Sequence, residues 1–214
     1  MMGDYHVRFC ERFGMKFPLG TRIKNISHNS ESIRSLFLTY SIKNKKRMII
    51  AITGASGVGK TSILKELSKK LSEDKNVKIF HFDDMDLPNW EEVEDSKKWQ
   101  EEATIEWIDK LVKTARKENV HILFEGSTEI KFYIQGFEKN GYSNFKILLF
   151  DCSQEIMKNR LIQRGQPELY HSNMIGWLNY LRNEAIERNI EIVRTDKSTI
   201  LEIGQKIINS FLLS

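Results

Sequence analysis

The sequence predicts a doubly wound α/β domain on a five-stranded parallel sheet, and three observations point there. Five short runs are apolar almost throughout instead of alternating: "MIIAIT" at 48–53, "VKIFHF" at 77–82, "VHILFE" at 120–125, "FKILLF" at 145–150 and "IEIV" at 190–193. Strands this continuous are buried on both faces, as parallel strands covered by helices are. Helical or polar stretches separate the runs, and parallel neighbours need such crossovers. Finally, the first run passes through "GASGVGKTS" into a helix, a strand-turn-helix that belongs to this class of fold.

The elements follow in order. After the first strand comes a helix from about Lys60 to Leu71, then the second strand. A polar stretch leads to "TIEWIDKLVKTARK", where Ile105, Ile108, Leu111, Val112 and Ala115 fall at helical spacing. The third and fourth strands follow. A helix from about Ser153 to Gln163 then gives way to a loop holding Pro167, because Gly165 and Pro167 break the pattern. A helix over about 172–188, the fifth strand and a last helix over about 198–212 complete the domain. The chain shows no internal repeat and no low-complexity segment.

The net charge of +4 is unevenly placed. Residues 1–47 carry ten Lys and Arg against three acids, whereas 48–214 sum to −3. The domain therefore offers no single-sign field of the kind that nucleic acid requires. A start at Met48 leaves a complete domain, so residues 1–47 read as a basic leader, flexible or forming a short helix in which Ile33, Leu36, Phe37 and Tyr40 share a face. Asp4, Glu11 and Glu31 disfavour a transit peptide. No run approaches the roughly 18 apolar residues that cross a bilayer, and the N-terminus lacks a secretory pattern. A cytoplasmic protein without membrane contact is expected. Cys10 and Cys152 form no CxxC pair and suggest neither disulfide nor zinc.

The segment Gly54, Ala55, Ser56, Gly57, Val58, Gly59, Lys60, Thr61 fits G-x-x-x-x-G-K-[ST] between a strand and a helix, and Ser62 continues it. The chemistry explains the spacing. Glycines let the backbone turn its N–H groups inward around a phosphate, and the helix N-terminus adds partial positive charge. Lys60 is expected to bridge the β- and γ-phosphates of ATP, and Thr61 to hold Mg²⁺. No DxxG exists, and "TDKS" at 195–198 lacks the Asp of an N/T-K-x-D, so a GTP switch is disfavoured. The third strand ends in a single acid, Glu125, and not in the Asp-Glu pair of oligomeric motor ATPases.

In element order, residues 48–214 resemble the small P-loop kinases, the adenylate, shikimate and gluconate kinase-like group. The resemblance implies roles for particular residues. An acid ending strand three helps hold Mg²⁺ through water, and Glu125 stands there. An Asp after strand two orients or deprotonates the acceptor hydroxyl; "HFDDMDLP" offers Asp83, Asp84 and Asp86, with Asp83 first, although such an acidic loop can also cap a helix or face water. An arginine-bearing lid lies between strands four and five, where "KNRLIQRGQPEL" places Arg160 and Arg164 on one helix face. Guanidinium groups there can neutralise a transferring phosphoryl group, although arginine also suits a helix C-terminus. Arg182 is a weaker candidate. Thr195 and Asp196 match the loop beside the adenine. The string from "FHFDDMDLP" to "VRTDKST" is also similar to small bacterial proteins labelled AAA-family ATPases, a likeness that carries no reaction.

Trp90 and Trp99, in polar surroundings, are candidates for an acceptor pocket, while Trp107 reads as core. His81 reads as a satisfied core histidine, and His121 and His171 carry no ligand spacing. The expectation is an ATP- and Mg²⁺-dependent phosphotransferase acting on a small hydroxyl- or phosphate-bearing acceptor: a nucleoside, nucleotide or sugar. The alternatives are a polynucleotide-end kinase, which the −3 balance disfavours, and a regulatory ATPase that is no kinase.

Overall fold

The computed structural model describes residues 47–71, 76–84 and 93–213. The leader up to residue 46, its expected helix, Asp86 and Trp90 lie outside the described residues. Five strands form one parallel sheet: β1 Ile49–Thr53, β2 Val77–His81, β3 His121–Glu125, β4 Phe145–Asp151 and β5 Glu191–Arg194, in the order β2-β3-β1-β4-β5. Among the described residues six α-helices accompany them: α1 Lys60–Leu71, α2 Ser96–Glu118, α3 Ile130–Lys139, α4 Gln154–Gln163, α5 Ser172–Glu187 and α6 Ile200–Leu213.

Alternation along β1 divides the core in two. Ile50 and Ile52 pack with Leu64, Leu67, Phe150, Leu161 and Phe211 on the face covered by α1, α4 and α6. Ile49 and Ala51 pack with Trp107, Ile108, Phe124, Tyr133 and Leu181 under α2, α3 and α5. Both faces of the central strand are thereby sealed, which is why its run is apolar without alternation. The doubly wound five-stranded α/β fold expected from the sequence is the fold observed.

Two differences from the sequence reading concern helices. Helix α2 begins at Ser96, about eight residues before its apolar stripe, because Asp95 caps it by accepting from the Lys97 and Lys98 N–H groups, both at 3.0 Å. Helix α3 has no counterpart in the sequence reading. Its N-terminal N–H groups find no cap within their own segment; Glu184 of α5 accepts from Ile130 and Lys131, each at 2.8 Å. Gly136, in the middle of α3, is required by packing, since a Cβ there would sit 2.8 Å from Cβ of Ile108.

Arg47 is tied to the domain. Its carbonyl accepts hydrogen bonds from the Tyr142 hydroxyl at 2.9 Å and the Asn144 amide, and its Nε donates to Asn119 Oδ1 at 2.6 Å.

Candidate active site

The carboxyl ends of β1 and β3 open onto a cavity of about 590 Å³, and the loop between β1 and α1 forms one wall. Gly54 has φ +153°, and a Cβ on it would stand 2.6 Å from the Phe150 carbonyl oxygen. Only glycine lets the chain turn that close to β4. With Gly57 and Gly59 also at positive φ, the loop curls before α1 starts at Lys60. Ser56, Gly57, Gly59, Lys60, Thr61 and Ser62 all line the cavity. Ala55 and Val58 are buried behind it, and the Val58 carbonyl accepts from Arg160 and Thr195.

Lys60 folds back over its own loop, its Nζ donating to the carbonyls of Gly54 at 2.7 Å and Ala55 at 3.2 Å. Burial pulls its ammonium below the usual lysine range; Glu125 and then Asp83 oppose that shift, and Arg164 adds to it. Those charges therefore act on the lysine through one shared space. The two carbonyls hold the ammonium where a phosphate chain in the loop can take it over.

Glu125 ends β3, buried, and lines the cavity opposite the loop. Its Oε1 lies 3.0 Å from His81 Nδ1, while Oε2 has no hydrogen-bond partner among the described residues. A buried carboxylate oxygen without a partner is costly unless a cation or water meets it. Thr61, exposed on the same cavity, adds a hydroxyl. Hard oxygen donors, few in number and beside a phosphate site, fit Mg²⁺. Asp83, exposed on a single 3-10 turn after β2, faces the same space. Asp84 instead caps the end of β2, accepting from the His81 N–H at 3.1 Å.

The arginines divide their work. Arg164, the C-cap of α4, is exposed and lines the cavity. Arg160 also lines it, but its guanidinium donates to Val58 O at 3.0 Å, Thr195 Oγ1 at 2.9 Å and Thr195 O at 2.9 Å. It clamps the phosphate loop to the loop after β5. Arg182 is elsewhere: its guanidinium forks onto the buried Asp151 carboxylate and donates to the Cys152 carbonyl. Thr195 lines the cavity, with its hydroxyl on Val58 O. The carboxylate of Asp196, by contrast, accepts from the Ser153 N–H and from Arg194, both at 2.8 Å, and does not line the cavity. Those bonds, first the one to Arg194, hold its carboxyl down at about 2 against the burial that opposes them.

Other residues were placed by the fold alone. His81 is not in the core: it is partly exposed at the end of β2, directly across from Glu125 in the β2–β3 register. Gln163, Ser127, Ser198, Ile200 and Ile203 line the cavity without any motif to mark them. Trp107 is core, as its spacing indicates, and donates to the Phe82 carbonyl at 3.2 Å. Trp99 meets the Phe82 ring edge-on at 6.2 Å between centroids, one residue from Asp83. Trp177, unremarked in the sequence, donates to the Ser127 hydroxyl at 3.3 Å.

A family model described as an AAA domain matches residues 50–191. No curated protein sequence matches the chain. Among solved structures, the chain is similar to a tunicamycin resistance protein from Deinococcus radiodurans, at 19% identity and TM-score 0.54, covering 76% of this chain and 94% of that one. A gluconokinase from Sinorhizobium meliloti 1021 aligns at 13% identity and TM-score 0.56, covering 78% and 93%. A shikimate kinase from Acinetobacter baumannii aligns at 17% identity and TM-score 0.55, covering 82% and 97%. At these identities the likeness shows a shared P-loop kinase-like fold. No helix among the described residues is long and apolar enough to cross a membrane.

Proposed function

The chain belongs to the AAA domain family, and on that footing we propose that it is an ATP- and Mg²⁺-dependent phosphotransferase of the small-kinase type. Its acceptor is a small hydroxyl- or phosphate-bearing molecule such as a nucleoside, nucleotide or sugar. The observation that carries the reading is the meeting, in one cavity, of a phosphate loop with two carboxylates of different character. Glu125 is buried with an oxygen to spare, and Asp83 is exposed to an incoming molecule.

On this reading each group has a task. Loop N–H groups and the start of α1 hold the phosphates, and Lys60 exchanges the Gly54 and Ala55 carbonyls for phosphate oxygens. Thr61 and Glu125 would hold Mg²⁺, which when bound neutralises phosphate charge. Asp83 accepts the proton of the acceptor hydroxyl as that oxygen bonds to the γ-phosphorus and the bond to the β–γ bridging oxygen breaks, leaving ADP. Arg164 supplies positive charge to the transferring group, and Arg160 keeps the loop and the Thr195 segment in register. The structural likeness to a gluconokinase and a shikimate kinase supports a small acceptor.

The test is ADP release across nucleosides, nucleotides and sugars, against a background of ATP alone. An acceptor that raises turnover well above a near-silent background supports the kinase. Substantial hydrolysis that no acceptor stimulates, but a protein partner does, would establish the regulatory ATPase instead.

A further inference from the structure

Glu125 has one oxygen held and one free. Oε1 lies 3.0 Å from His81 Nδ1, and this is the single hydrogen bond to the Glu125 carboxylate among the described residues. In this contact the His81 Nδ1–H donates and the Glu125 carboxylate accepts. The backbone that carries the ring is itself anchored. His81 and Glu125 are register partners at the ends of neighbouring parallel strands, and the His81 N–H donates to Asp84 Oδ2 at 3.1 Å. Phe82, the next residue, is buried and lines the cavity, which fixes the chain on the other side.

We propose that His81 is a positioning residue: its Nδ1–H pins Oε1 of Glu125 and so fixes the orientation of the cavity-lining carboxylate that holds the Mg²⁺ shell. The inference rests on the reading of Glu125 as the Mg²⁺ carboxylate and adds the group that orients it. A carboxylate gripped at neither oxygen rotates among several rotamers and must be ordered each time the ion binds; one gripped at Oε1 is ordered beforehand. Partners of this kind, one bond removed from the metal, typically change metal affinity 10- to 100-fold when lost.

The experiment measures Mn²⁺ binding to the full-length protein loaded with a non-hydrolysable ATP analogue, reading free Mn²⁺ by electron paramagnetic resonance. Binding of a fluorescent ATP analogue in EDTA is measured beside it. His81→Leu should weaken Mn²⁺ about 10- to 100-fold and leave metal-free nucleotide binding unchanged. His81→Asn, whose amide nitrogen stands near the position of Nδ1, should restore most of the affinity. If His81→Leu does not fold, His81→Ala reads the same loss at a partly exposed site. Wild-type Mn²⁺ affinity in His81→Leu, or an Asn variant as weak as the Leu variant, overturns the inference. Glu125→Gln separates the two readings. If it loses Mn²⁺ while His81→Leu keeps it, only the positioning role fails; if it binds Mn²⁺ as wild type does, the Mg²⁺ reading fails and the inference with it.

Discussion

Replacing Asp196 by Asn removes the charge that joins the loop after β5 to the start of α4. In the folded protein this carboxylate is 8% exposed, accepts from the Ser153 N–H at 2.8 Å and pairs with Arg194 at 2.8 Å. Its pKa falls from 3.8 to about 2. A depressed carboxylate pKa means that the folded state prefers the charged form, so the stabilisation is present above the unfolded pKa and is lost as pH falls through the folded one. At about 1.4 kcal/mol per unit the shift corresponds to about 2 kcal/mol at neutral pH, falling to about 1 kcal/mol near pH 3. Urea unfolding of wild type and Asp196→Asn at pH 7, 5, 4 and 3 reads this directly, with unchanged m values confirming that stability alone has moved. The gap should be nearly constant from pH 7 to 5 and then close. A gap below about 0.5 kcal/mol at pH 7, the level of an ordinary surface substitution, or one indifferent to pH, would refute the reasoning.

Lys60→Ala should abolish productive ATP use while costing little stability, because among the described residues the ammonium hydrogen-bonds only to loop carbonyls; turnover beside a melting curve checks it, and wild-type-like turnover sinks the phosphate-loop assignment. Asp83→Asn should lower single-turnover transfer to the acceptor about 10²- to 10⁴-fold with nucleotide affinity unchanged, and intact transfer would remove Asp83 as the base. A chain beginning at residue 46 should remain soluble and bind nucleotide, whereas one beginning at Met48 loses the Arg47 carbonyl that Tyr142 and Asn144 use. With the Arg47 Nε bond to Asn119 also lost, at about 1 kcal/mol per hydrogen bond and 2–4 °C per kcal/mol, its melting temperature should fall by about 6–12 °C. Insolubility of the longer chain would show that the leader is structural.

The residues that the sequence marked by motif were those whose chemistry depends on near neighbours in the chain. A phosphate loop needs its glycines, lysine and threonine at fixed spacing because one backbone turn does the binding, and Gly54 to Thr61 announce themselves. Glu125 and Asp83 were picked out through the kinase resemblance, which implies an acid ending strand three and an Asp after strand two, and both line the cavity. Arg160 and Arg164 were found as a pair four apart, but their division of labour was not: whether a guanidinium is occupied by Val58 and Thr195 or left facing the cavity depends on segments far away in the chain. Asp196 was expected beside the base; its nearest donors, Ser153 and Arg194, come together only when β4 and β5 pair.

Apolar runs and their spacing by themselves determined a parallel sheet covered on both sides, because burial on two faces leaves a strand no polar positions to alternate. Tertiary structure alone decided the strand order, helix α3 and the place of His81. Helix α3 is capped by Glu184, more than fifty residues on, and carries a glycine that only the approach of Ile108 explains. His81 looks like core in a strand of its own; it meets Glu125 because β2 ends in register with β3, which sets its ring against a carboxylate that lines the cavity. Local pattern reports what a segment must bury, and pairing partners far along the chain decide which polar atoms it meets.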